Sequence, residues 1–133
     1  MRVRLVILVL LISLIAQPAL ALDFNSVEVS YCNGSIRVEV FYTLDAISAI
    51  KVFLFGAGCI EDDVRELFVT DDYVVEKIDF NHAEFFFPVE KSDECLRFDG
   101  VKLSKPLNVT LKIGSEVDLG TTDEIPQLYF CID

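Results

Sequence analysis

The segment VEVSYCNGSIRVEVFYT, residues 27–43, decides the fold. On each side of its Asn-Gly dipeptide, apolar residues alternate with polar ones, which is the period of a β-strand buried on one face. Asn33-Gly34 is typical of a two-residue type I′ turn, because both central residues of that turn need positive φ. This turn fixes the register of a hairpin whose apolar side chains share one face. The predicted cross-strand pairs are Tyr31 with Ile36, Val29 with Val38, and Val27 with Val40.

Further strands are predicted from alternation and from apolar runs bounded by turn residues. They are Ile50–Phe55, Tyr73–Phe80, Ala83–Val89, Cys95–Phe98, Val101–Leu103, Leu107–Ile113 and Gln127–Ile132. The first of these is apolar on nearly both faces, so we expect it to be a central strand of the sheet. After Cys59 the period becomes helical, and the spacing of the apolar residues predicts one short helix. Those residues are Ile60, Val64, Leu67 and Phe68.

Seven or eight short strands and one short helix predict an all-β fold over residues 22–133, an antiparallel β-sandwich in a single domain. Its architecture resembles that of immunoglobulin-like sandwiches. The resemblance is one of architecture alone, because the chain has no Trp and its cysteine spacing does not frame the usual immunoglobulin core.

The N-terminal segment predicts export. Two arginines in Met1–Arg4 precede an apolar run, Leu5–Ala16, and small residues follow at Ala19 and Ala21. This order is typical of a signal peptide over residues 1–21 that is cleaved after Ala21. The alternative is a retained membrane anchor, but the run is shorter than the ~20 residues that a bilayer core requires. We therefore expect a secreted protein or one in the extracytoplasmic cell envelope, with membrane contact only through this segment if it is uncleaved.

The charge of the chain excludes one class of partner. Removing Arg2 and Arg4 from the 11 basic residues leaves nine against 22 acidic ones, a formal charge of −13. The remaining Lys and Arg are scattered singly, whereas binding to a phosphate backbone needs them clustered. No nucleic-acid partner is therefore expected.

Four cysteines in an exported chain indicate two disulfides. Of the three possible connectivities, we prefer Cys59 with Cys95 and Cys32 with Cys131, because the second pair would join the last strand to the first. The alternative of four free thiols would require a reducing compartment.

Two N-glycosylation sequons begin at Asn33 and Asn108, one at the hairpin tip and one on a polar strand face. The turn alone already accounts for Asn33. Use of either sequon depends on a host that glycosylates exported proteins.

Neither the single histidine nor the carboxylates predict catalysis. His82 is expected at a turn beside Asn81, and no nucleophile motif accompanies it. Several pairs of acidic residues are expected to be solvated surface, and no cofactor is predicted. Ca²⁺ binding is a weak alternative that needs converging oxygen ligands, and its candidate residues are Asp62, Asp63, Asp71 and Asp72.

Three consecutive phenylalanines, Phe85, Phe86 and Phe87, cannot all face one core, because successive side chains of a strand point to opposite faces. Either a second layer such as the short helix covers Phe86, which we favour, or the residue belongs to an apolar interface with a partner.

A non-catalytic binding or structural module of the cell surface is the leading functional expectation, with a protein or glycan as its partner. Two alternatives remain open. One is a small secreted hydrolase that uses a carboxylate pair, and the other is a secreted inhibitor or accessory subunit of an exported enzyme.

Overall fold

A computed structural model describes residues 22–131, so the predicted signal peptide lies outside the described residues. Within them the chain is mostly β, with two short helices. The strands are β1 (Leu22–Cys32), β2 (Ser35–Leu44), β3 (Val74–Ile78), β4 (His82–Phe87), β5 (Glu90–Ser92), β6 (Cys95–Phe98), β7 (Val101–Ile113), β8 (Ser115–Ile125) and β9 (Leu128–Cys131). The helices are α1 (Ala46–Phe55) and α2 (Glu61–Arg65), with a 3₁₀ turn over Ala57–Ile60 between them.

The hairpin predicted from residues 27–43 is confirmed in strands and register. β1 pairs with β2 through Tyr31 and Ile36, Val29 and Val38, and Val27 and Val40. The turn between them has positive φ at both Asn33 (49°) and Gly34 (86°), as a type I′ turn requires.

Two sheets form around this hairpin. The larger has six strands in the order β3-β4-β2-β1-β7-β8, and the smaller has three in the order β5-β6-β9. This arrangement is consistent with a β-sandwich. The expectation of a wholly antiparallel fold is wrong, because β1 and β7 run parallel, with Val27 beside Val109. A parallel pair needs a long crossover connection, and here residues 33–100 supply it.

The core lies against one face of the large sheet, which we call the inner face. Val27, Val38 and Phe85 are completely buried there. The predicted short helix is confirmed over Glu61–Arg65. It packs on this inner face through its buried residue Val64. The ring of Phe68 then meets those of Phe85 and Phe87 at centroid distances of 4.9 and 5.2 Å.

The prediction of a central strand over Ile50–Phe55 is wrong, since these residues end helix α1. Short apolar runs do not separate strand from helix by periodicity. Here Asp45 begins the helix, its side chain accepting a hydrogen bond from the Ser48 amide at 2.7 Å, and Gly56 at φ 87° ends it.

Two strands were not predicted, the three-residue β5 and the longer β8. β8 has an extended polar sequence, and most of its residues are exposed on both faces of the strand. Val117 and Leu119 alternate with acidic residues, but this pattern is too short to predict a strand, and both side chains are exposed. β8 forms because the turn at Gly114 folds the chain back along β7, where Leu111 pairs with Val117.

The preferred disulfide pairing is also wrong. Cys95 is bonded to Cys131, its direct partner in the register of β6 and β9, whereas Cys32 and Cys59 are free thiols. The bridge closes a loop with a sequence separation of 36, for which chain entropy predicts a stabilisation of about 4 kcal/mol.

The three consecutive phenylalanines lie on opposite faces of the sheet. Phe85 and Phe87 are buried in the core, so neither is available to a partner. Phe86 is half-buried on the opposite, outer face, where it pairs with Arg37 and Val74. The favoured cover over Phe86, the short helix, packs on the inner face instead.

Phe85→Ala should lower the free energy of unfolding by about 3 to 5 kcal/mol, because it leaves a cavity in a packed core. Phe86→Ala, a matched change on the outer face, should cost much less. Urea denaturation of both variants checks this, and equal losses would show that the faces are assigned wrongly.

Reduction of the denatured protein should add the mass of about two hydrogens, because the described residues contain one disulfide. In the folded protein, Cys59 should react with a thiol reagent faster than Cys32, since only Cys59 is exposed. A gain of about four hydrogens would restore the expectation of two bridges.

Candidate functional site

Helix α1 carries four exposed large apolar side chains, more than any other helix or strand of the described residues. Exposed fractions are 47% for Ile50, 88% for Phe53, 58% for Leu54 and 67% for Phe55. Within the helix only Ser48 is fully buried, while Val52 packs partly against the core. Water-exposed aromatic and aliphatic side chains in one contiguous stretch mark a contact surface.

Hydrogen bonds to Asp45 stabilise the N-terminus of this helix, although its apolar side chains are exposed. The amide of Ala49 donates to the Asp45 carbonyl at 2.9 Å, which closes the first helical turn. Two hydrogen bonds from Ser48 hold the pKa of Asp45 below its ordinary value. The one from the Ser48 side chain has the larger effect, and the one from its backbone amide has the smaller. The carboxylate of Asp45 therefore stays charged at neutral pH and caps the N-terminus of the helix. The sequence signal that was missed is Asp45 followed by Ala46 and Ala49, a cap residue before good helix formers.

No helix within residues 22–131 combines the length and the apolar character needed to cross a bilayer.

The outer face of the large sheet carries ion pairs. Glu39 and Glu84 lie directly opposite each other on β2 and β4. Arg37 bonds to both, reaching Glu39 at 2.7 Å. The hydrogen bond to Glu84 raises the pKa of Arg37, so the guanidinium stays charged.

This arrangement bears on the hydrolase alternative. A glycosidase needs one carboxyl that donates a proton and one that remains free to attack or to activate water. Glu39 and Glu84 are instead both engaged by one arginine. Their geometry fits a structural network that neutralises neighbouring like charges across the strands.

Three of the four Ca²⁺ candidates line two neighbouring open depressions, which share Thr70. Asp62 and Asp71 line one open depression, which also contains the cation Arg65. Asp72 lines another, beside Asp99. Between Leu22 and Cys131, no three His, Cys, Asp or Glu side chains are grouped so that they could hold a metal ion.

His82 is the first residue of β4 rather than a turn residue. Its ring stacks on that of Phe41 at a centroid distance of 6.1 Å, and its Nδ1 atom lies 3.1 Å from the Asn81 side-chain oxygen.

The hydroxyl of Tyr42 joins β2 to the turn between β3 and β4. It is buried and donates to the backbone carbonyls of Asp79 and His82. Burial raises the pKa of Tyr42 well above its usual range.

Both sequons lie on accessible surface. Asn33 is exposed at the hairpin tip, and Asn108 is exposed on β7. In the orientation that satisfies its hydrogen bonds, the Asn108 amide nitrogen donates to Asp118 at 3.1 Å. A glycan attached to Asn108 would replace one of the two hydrogens on this side-chain nitrogen.

No protein-family model, curated protein or solved structure matches this chain.

Arg37→Gln should lower the free energy of unfolding by about 1 kcal/mol at pH 7, because it leaves Glu39 and Glu84 side by side without a cation. The deficit should shrink as salt is added, because dissolved ions screen the repulsion between the two carboxylates. Lys112→Gln is the control, since Lys112 pairs with Glu28 in a more exposed position. Denaturation curves at low and at high salt concentration measure the difference, and a deficit that does not vary with salt would contradict the charge network.

Proposed function

We propose that the protein is a non-catalytic binding or structural module of the cell surface or extracytoplasmic envelope, and that it binds through helix α1. The exposure of Phe53, Leu54 and Phe55 is the observation that carries this proposal. Burying one such side chain contributes about 1.5 to 3 kcal/mol, so a partner that covers all three gains a substantial free energy of binding.

Export is part of the proposal, and the sequence of residues 1–21 supports it, with its arginines, apolar run and small residues near Ala21. The disulfide between Cys95 and Cys131 agrees with an oxidising compartment. An immunoglobulin-like arrangement of the strands also belongs to the proposal, supported by two sheets whose strand order departs from chain order.

The chemistry of α1 narrows the expected partner. Glycan binding depends on polar groups that hydrogen-bond to sugar hydroxyls as well as on aromatic rings. Between Ala46 and Phe55 the only charged residue is Lys51 and the only other polar one is the buried Ser48. An apolar partner surface therefore fits this helix better than a sugar. An exported enzyme would satisfy this requirement too, so an inhibitor or accessory subunit is a special case of the same proposal.

A chain of residues 22–133 keeps every buried residue of the described core and is suitable for testing the proposal. Without a partner, its exposed apolar helix should cause self-association and should bind a fluorescent dye specific for apolar surface. Phe53→Ser combined with Phe55→Ser should abolish both effects and leave the melting temperature nearly unchanged. Sedimentation velocity over a range of concentrations, together with dye fluorescence, measures this.

The control is Tyr129→Ser, which removes a ring that is 71% exposed on a different element, strand β9 of the small sheet. It should behave as the unsubstituted chain does. A chain that remains monomeric at all concentrations and does not bind the dye would refute the proposal.

A further inference from the structure

Helix α1 begins at one end of the large sheet, which we call the apolar end, and other apolar residues lie at the same end. Leu22 pairs with Leu44 there, and α1 begins two residues after Leu44. The turn between β3 and β4 lies at the same end, because the Tyr42 amide donates to the Asn81 carbonyl at 3.1 Å. That turn contributes Phe80, which is 58% exposed.

The charge of this segment differs from that of the chain as a whole. The chain has 22 acidic residues, yet none lies between Ala46 and Ile60. Lys51 is the only charged residue in that range. A lysine has a flexible apolar stem and an ammonium head, so it can reach lipid phosphates while neighbouring side chains enter the acyl region.

The position of Leu22 connects this end with the membrane. The chain enters the described domain at Leu22, and the apolar run Leu5–Ala16 precedes it. During export such a run occupies the bilayer, so the domain emerges with Leu22 towards the lipid. At the moment of export the apolar end therefore faces the membrane surface, and a retained segment would hold it there.

We propose that the apolar end docks on the lipid surface of the membrane across which the protein is exported. In this arrangement Phe53, Leu54 and Phe55 enter the interfacial region, and Lys51 lies at the level of the phosphates. The inference rests on the proposed function and names lipid as the partner of the same helix. Asp23 and Asp45 lie beside the apolar end, so neutral lipid is preferred to anionic lipid.

The absence of Trp from the chain permits a direct test. Phe53→Trp in residues 22–133 places a single indole at the most exposed position of α1. With phosphatidylcholine vesicles its emission should shift to shorter wavelength, and lipids that carry a quencher should quench it. Tyr129→Trp is the matched control and should show neither effect. Adding anionic lipid to the vesicles should weaken the binding of Phe53→Trp.

Vesicle flotation gives the strength of docking. Phe53→Ser combined with Phe55→Ser should lower the bound fraction, with roughly a tenfold loss in partitioning for each ring. A chain that self-associates through α1 but shows no shift and no flotation would overturn lipid docking and would leave a protein partner for the same helix. A chain that neither self-associates nor floats would overturn both proposals.

Discussion

The register of the β1–β2 hairpin is the constraint on which the rest of the structure depends. A shift of one residue would move every side chain of a strand to the opposite face of the sheet. The Asn33-Gly34 turn prevents such a shift because its two residues adopt positive φ and allow one pairing of the flanking strands. The inner face is thereby apolar and the outer face polar, and β4 and β7 add to the hairpin with the same division.

The same hairpin explains why α1 does not extend the sheet beside β2. β2 has β1 on one side and β4 on the other, so its hydrogen-bonding edges are both occupied. The inner face is already covered, in part by Val64 and Phe68. An apolar segment that follows β2 directly therefore has no strand position next to β2 and little inner face left to cover. It becomes a helix, which satisfies its own backbone hydrogen bonds, and its side chains remain in water.

The outer face of the sheet and α1 are two different kinds of surface. On the outer face, charged neighbours compensate one another, as Arg37 does for Glu39 and Glu84. The charges of these residues are already paired within the domain. The rings of Phe53 and Phe55 have no such compensation within the described domain. The exposed helix, and not the more numerous charged residues, is therefore the surface that a partner would bury.

The sequence by itself determined the hairpin, its register and the division of Phe85, Phe86 and Phe87 between two faces, because these follow from local turn geometry and the strand period. It also predicted the short helix after Cys59. The exposed helix α1 was missed because Ile50–Phe55 is apolar all round, and whether such a run is buried depends on what the neighbouring strands have already filled. The bond between Cys95 and Cys131 likewise depends on the pairing of β6 with β9. Only the tertiary structure decided these features, because each is set by contacts between residues that are distant in the chain.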